Sequence, residues 1–321
     1  VLDILQVTFP FFILVLFGYT AARRRMLPFE AIAGLNTFVL YFALPCMLYR
    51  FGAHTPIAQL LDAAAFTVYF LSALALVGFV VWISRNSRIG WNDASFGALV
   101  AAFPNTGFMG VPLLLALLGA RAAGPAILTI MIDLVITSSL CIALSRLDGA
   151  DEHGVRKAAR SALRGVALNP MAWSVVLGGL SSALQFVPLG PLDRTIGLLA
   201  DAASPVALFT IGAVLARSQF VAAQEEHDPM PWQDFVPVAL TKLLVHPLVV
   251  WGTGSAAIAL GLPLDRFALT VMVLVAALPS ASNVALLAER FGADTGRIAR
   301  IILLTTAAAF LTFSGAVALL R

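Results

Sequence analysis

Charge is scarce in this 321-residue chain: only 12% of residues are charged while 60% are hydrophobic, against the quarter charged and half apolar usage of soluble domains. That balance excludes a soluble globular domain and a disordered polar chain alike. Cysteine is nearly absent. Cys46 and Cys141 both fall inside apolar stretches, so neither a disulfide framework nor a thiolate metal cluster is expected. Histidine is equally sparse, with His54, His153 and His227 in polar connections and no HExxH pattern, which argues against a zinc hydrolase. What the chain has instead is long apolar runs. They recur near 3–22, 29–49, 58–83, 94–119, 122–145, 166–187, 192–216, 234–260, 267–289 and 298–320, each close to the ~20 residues that span a hydrocarbon core. The expected fold is an all-α polytopic membrane protein with ten transmembrane helices. The first run is kept as a helix, because Arg23, Arg24 and Arg25 come after it, whereas a secretory signal places its basic residues before the apolar stretch.

Lys and Arg distribute unevenly between the spans. One set of alternate connections carries 14 of the 20 (Arg23 to Arg25, Arg85, Arg88, the 146–164 group, Arg217, Arg290, Arg297 and Arg300), and the other carries five. By the positive-inside rule the richer side is cytoplasmic and both termini are extracytoplasmic, in the cytoplasmic (inner) membrane. The excess accounts for the pI near 9.2 without a nucleic-acid partner.

The longest hydrophilic connection, SRLDGADEHGVRKAARSALRG at 145–165, divides the spans five and five. The expected domains are a first repeat over 1–146, a cytoplasmic linker over 147–165 and a second repeat over 166–321. The halves echo each other. AAFP at 101–104 is followed by Gly119-Ala120, AALP at 276–279 by Gly292-Ala293, and Pro45 in span two answers Pro205 in span seven. Five is odd, so the second half enters the membrane from the opposite side and the repeat is inverted. Paired, interrupted spans in an inverted repeat are the sequence pointer to a secondary transporter with a midplane site.

The fourth span contains AAFPNTGFMGVP (101–112). Pro104 removes a backbone donor and biases Phe103 away from helix, while Gly107 and Gly110 loosen the turns after it. The ninth span, AALPSASNVALL (276–287), has Ser280, Ser282 and Asn283 in place of the glycines. Freed backbone groups cannot face lipid and must line a protein cavity, and helix amino ends there favour an anion. The plainer reading is a pair of kinked structural helices. Ionisable groups at depth are the second signal. Asp133 lies about 11 residues into span five, roughly 16 Å deep, with Lys242 in span eight and Asp201 in span seven also near mid-depth. Lys242 is read as a countercharge and one aspartate as a proton or cation site; an internal Lys–Asp pair that only joins helices is the alternative. His246 shares the Lys242 face one turn on, and a packing histidine ahead of Pro247 is its simpler role.

FPNTGFMGVPLL (103–114), ALPSASNVALLAERFGAD (277–294), LNTFVLYFALP (35–45) and LTKLLVHPLV (240–249) resemble the fourth, ninth, second and eighth spans of the auxin efflux carrier family. That family includes plant auxin exporters and bacterial carriers of malonate or malate. The resemblance implies an architecture like that of sodium/proton antiporters and bile acid symporters, with crossed, broken helices 4 and 9. Scaffold helices 1, 2, 6 and 7 and transport helices 3–5 and 8–10 would interleave across the repeats and move as an elevator. It makes Pro104, Asn105 and Pro279 crossover residues, with Asn105 in contact with the substrate; together with Thr106, Gly107, Ser280, Ser282 and Asn283 beside them they are the expected substrate-binding residues, although Ser282 and Asn283 stand where the plant members are richer in proline. The short central loop resembles the bacterial members more than the plant ones.

A non-enzymatic carrier of small organic anions, mono- or dicarboxylates, is therefore expected, with membrane lipid as its other partner and a homodimer through the scaffold helices. No cofactor or metal is expected; the coupling ion is H⁺ or Na⁺. The alternative is a membrane sensor that uses the same pocket without net transport. An intramembrane enzyme would need a catalytic dyad, and Asp133 and Asp201 sit in no protease motif.

Overall fold

The computed structural model describes residues 2–56, 62–147, 170–224 and 230–320; the linker expected over 147–165 lies almost entirely outside them. The described residues form helices and the loops between them. In chain order these are α1 (Leu2–Arg23), α2 (Ala31–His54), α3 (Ala63–Ser84), α4 (Trp91–Ala102), α5 (Thr106–Leu118) and α6 (Ala120–Leu144), then α7 (Pro170–Leu184), α8 (Gly190–Gln224), α9 (Val236–Ala259), α10 (Arg266–Ala276), α11 (Asn283–Phe291) and α12 (Thr295–Leu320). Six are long and apolar enough to cross a membrane: α2, α3, α6, α8 over Gly190–Arg217, α9 and α12. The chain is an all-helical, polytopic membrane protein. Two of the ten expected spans do not appear as single rods, because each is divided into two short helices, α4 with α5 and α10 with α11.

The helix limits come from local chemistry. α3 has no charge and no proline over 22 residues, about 33 Å of helix at 1.5 Å per residue. Just beyond it the Asn86 carboxamide accepts from the Arg88 and Ile89 amides at 2.8 and 3.0 Å, which turns the chain toward α4. Asp265 caps α10 by accepting from Phe267 N–H at 3.1 Å. Gly292 closes α11 at φ +69°, the left-handed conformation glycine adopts without a Cβ penalty. Inside α2, α5 and α9 a five-residue π turn (Val39–Ala43, Thr106–Gly110, Thr241–Val245) runs into Pro45, Pro112 and Pro247, each of which lacks the N–H an unbroken α ladder would need. The π turn at Asp133–Thr137 in α6 contains no proline. There Ser138 donates its hydroxyl to the Asp133 carbonyl at 2.8 Å.

The chain forms two compact units, each discontinuous in sequence. The first comprises Val1–Asp62, Gly107–Leu128 and Asn169–Glu226. Within it α1 lies backbone against backbone on α8: a Cβ at Gly18 would overlap the Phe209 carbonyl, and one at Gly212 the Val15 carbonyl. Gly52 and Gly178 bring α2 equally close to α7, the small-residue contact typical of membrane helices. Gly212→Val is expected to wedge α1 off α8 and cost about 2 kcal/mol, read as a lower melting temperature in detergent.

The second unit comprises Ala63–Thr106, Thr129–Leu168 and His227–Arg321. One buried cation ties its elements together. The charge pattern alone places Arg297 in a connection, yet it occupies the first turn of α12 with only 2% of its surface exposed. Its guanidinium donates to the Asp234 carbonyl at 2.7 Å, the Asp93 carbonyl at 2.6 Å and the Ser84 hydroxyl at 3.3 Å. Gly97 makes room, since a Cβ there would lie 2.7 Å from the Arg297 guanidinium. Five fixed donors suit this fork in a way one ammonium cannot. Arg297→Met is expected to strand those acceptors and lower stability by about 3 kcal/mol, and Arg297→Lys should recover little of the loss in a melting measurement.

Candidate functional site

The two interruptions meet within the second unit. Phe103, the residue before Pro104, ends α4 in an extended conformation with φ −103° and ψ 96°, as proline requires of its predecessor. Pro104 and Ser280 form an isolated antiparallel bridge. Asn105 N–H donates to the Pro279 carbonyl at 2.8 Å, and Ala281 N–H to the Phe103 carbonyl at 2.9 Å. Each break thus satisfies backbone groups freed by the other, and no lipid-facing polar backbone is needed. Thr305 on α12 accepts from the Ser280 amide at 3.3 Å and braces the joint.

Backbone is satisfied here, but side chains are not. Asn105 Oδ1, Thr106 Oγ1, Ser280 Oγ and Asn283 Oδ1 are buried without a hydrogen-bond partner. An orphaned buried polar atom costs about 1–3 kcal/mol, and native structures keep few of them. Four such atoms, contributed by both interruptions, gather at one joint. The hydroxyls can donate and the carboxamides can turn either edge to a guest, while the Val284 and Ala285 amides at the start of α11 bond back to the Ala281 and Ser282 carbonyls at 3.3 and 3.2 Å.

A second polar group is fully buried in the same unit, on α3, α6 and α9. Lys242 Nζ donates to the Ala276 carbonyl at 2.8 Å and lies 3.0 Å from His246 Nδ1. Ala276 is the last residue of α10, so the ammonium caps the negative end of that helix dipole just ahead of the break. Asp133 accepts from the Tyr69 hydroxyl at 3.0 Å and from Thr137 at 3.1 Å. The Tyr69 and His246 rings lie 6.3 Å apart between centroids. Lys242 and Asp133 each begin or occupy a π turn, an irregularity often found at functional positions.

Of the residues singled out from sequence, Pro104, Asn105, Thr106, Pro279 and Ser280 come together, with Ser282 and Asn283 next in the chain, and Lys242 touches His246. Gly107 falls at the start of a segment belonging to the first unit. Asp201 lies in the first unit, 73% exposed at its side chain and paired with Arg50 at 2.8 Å. Tyr69, Thr137 and Thr305 were not anticipated. Tyr69 is one of only four tyrosines, and its place inside a span was the available signal; a threonine in an apolar helix gives none.

Comparison with known proteins identifies the family. The family model described as "Membrane transport protein" matches residues 3–317. A Rhizobium meliloti protein named "Putative malonate transporter" is 31% identical over 324 residues, covering 99% of this chain and 96% of that protein. An "Uncharacterized transporter YfdV" of Escherichia coli K12 is 28% identical over 293 residues, 89% of this chain and 88% of its own. "Auxin efflux carrier component 8" of Arabidopsis thaliana is 22% identical over 273 residues, 68% of this chain and 74% of its own. The chain is a multi-pass membrane transporter rather than an enzyme, and it belongs to the membrane transport protein family, that of the auxin efflux carriers.

Proposed function

We propose that this transporter carries small organic anions, mono- or dicarboxylates, across the cytoplasmic membrane, and that the paired interruptions form its substrate site. The observation that carries the reading is the set of four orphaned side chains at the joint between Phe103–Thr106 and Pro279–Asn283. A carboxylate would accept from the Thr106 and Ser280 hydroxyls and the Asn105 and Asn283 side-chain amides, uncharged donors that bind an oxyanion without themselves needing a counterion. The name of the Rhizobium relative points to the same class of cargo.

In this reading the spans form two inverted five-helix repeats over 1–146 and 166–321, with the fourth and ninth helices crossing. The second unit, holding spans 3 and 8–10, the first half of span 4 and span 5 from Thr129 on, is the moving transport part, and spans 1, 2, 6 and 7 are the scaffold and the dimer face. The division of contacts into two units along these lines supports an elevator movement. Lys242 supplies positive charge near the site, while Asp133, held by Tyr69 and Thr137, is the candidate for a coupling H⁺ or Na⁺; Asp201 has no part in it. Export of an anion runs down the membrane potential at about 2.3 kcal/mol per charge per 100 mV, so coupling is needed only for uptake. Both termini are extracytoplasmic on the Lys and Arg count.

A melting-temperature series with mono- and dicarboxylates tests the proposal, because a ligand at 100 times its Kd stabilises the native state by about 2.7 kcal/mol. Malonate and its homologues are expected to raise the melting temperature, and choline to leave it unchanged. A series in which no carboxylate differs from choline would contradict the proposal.

A further inference from the structure

A groove on the second unit, sharing no residue with the joint, has the makings of a lipid site. Its volume is about 720 Å³, and its lining includes Gly78, Val81, Trp82, Arg85, Asn86 and Trp91, with Leu144 from α6. By the share of roughly 30 Å³ per water, that is space for about two dozen waters, far more than a small inorganic ion occupies. The lining changes character along α3. Gly78, Val81 and Trp82 belong to the last two turns of an uncharged spanning helix, and Arg85 and Asn86 come after its final residue, Ser84. Gly78 to Arg85 is seven residues, about 10 Å of rise, so an apolar upper wall passes into a polar floor over the depth of a lipid's glycerol and headgroup region.

The floor is positively charged and available. Arg85 is exposed, and among the described residues it pairs with no carboxylate; its guanidinium lies over the Trp91 ring, 4.2 Å from the centroid. Stacking fixes the plane of the guanidinium and leaves its edge N–H groups free for a bidentate oxyanion. Arg88 is engaged elsewhere, 3.6 Å from Asp234, and Arg146, two positions beyond the lining residue Leu144, is stacked on Phe291. Trp82 is 76% exposed, an indole presented outward at the end of a membrane span, where such rings anchor at the headgroup level. Arg85 also lies on the side that carries the Lys and Arg excess, hence toward the leaflet richer in acidic lipid.

We propose that this groove binds the headgroup of an acidic phospholipid, the phosphodiester on Arg85 and the upper acyl segment along Trp82, Val81 and Gly78. A phosphate diester carries the charge complementary to Arg85, which pairs with no carboxylate among the described residues, and a lipid brings an apolar chain to fill the wall above it. The site is independent of the anion cargo: it sits on α3 and α4 at the membrane boundary and shares no residue with the joint.

Native mass spectrometry of the full chain in mild detergent, titrated with phosphatidylglycerol or phosphatidylcholine, tests it. The wild type is expected to retain one phosphatidylglycerol in preference to phosphatidylcholine. Arg85→Gln should lower that occupancy at least fivefold, Arg85→Lys should keep part of it, and 10-fold excess inorganic phosphate should not displace it. Arg85 is exposed beyond the end of α3, so its substitution leaves the fold intact, which an unchanged melting temperature without added lipid verifies. Trp82→Ala, which spares the charge, should weaken retention as well and serves as a second variant. Equal retention of the two lipids, unchanged occupancy in Arg85→Gln, or displacement by inorganic phosphate would each overturn the proposal, the last by showing a small-anion site.

Discussion

Lys242→Met is expected to lower malonate uptake into proteoliposomes at least 100-fold. Methionine matches the aliphatic stem in length and packs in the same apolar surroundings, so the change removes charge more than volume. In the native protein the fully buried ammonium is bonded to the Ala276 carbonyl and lies against His246. Losing one member of a buried, hydrogen-bonded charge arrangement costs about 2–5 kcal/mol of interaction, and 100-fold corresponds to about 2.7 kcal/mol. Stability should also fall, by the 1–3 kcal/mol of a stranded carbonyl, which is small enough to leave the protein folded. Flux and melting temperature measured on one preparation separate the two effects. Uptake within twofold of wild type would remove Lys242 from the transport mechanism and leave it as a helix cap.

Asn105→Ala is expected to abolish uptake with the opposite effect on stability. The carboxamide oxygen of Asn105 is buried, with 3% of the residue exposed, and has no partner, while its backbone N–H to Pro279 survives any substitution that keeps the backbone. Truncation therefore strands nothing and deletes an unsatisfied group, so the unliganded melting temperature should stay level or rise. The malonate-induced shift should disappear. Greater stability together with lost function is the signature of a group kept for its ligand rather than its fold. A kinked structural helix makes the reverse forecast: reduced stability and unchanged flux.

The interruptions were legible in the sequence because their cause is local. Proline restricts Phe103 and removes a donor wherever Pro104 stands, and Asn105 beside it announces a polar backbone at depth. The Lys242 and His246 contact was legible for a similar reason, since i and i+4 share a face in any helix. What was not legible is which face points where. Asp201 sits as deep along its helix as Lys242 by residue count, yet pairs with Arg50 with most of its side chain exposed, because depth along an axis carries no information about rotation around it. Arg297 was misassigned at a boundary: a charged residue beside an apolar run reads as a loop, and only three acceptors from separate segments explain its burial. The passage from one unit to the other between Thr106 and Gly107 is likewise invisible to hydropathy, which registers a continuous apolar run.

The central claim is that an organic anion binds where Pro104 and Ser280 join and is moved from there. Counterflow measures this most directly: proteoliposomes loaded with unlabelled malonate, diluted into trace labelled malonate, report saturable exchange through the reconstituted chain. The account predicts transient accumulation of label in wild-type vesicles, competition by other dicarboxylates, and a flat trace for Asn105→Ala. Label that never exceeds the level in protein-free vesicles for any mono- or dicarboxylate, or accumulation undiminished in Asn105→Ala, would contradict it.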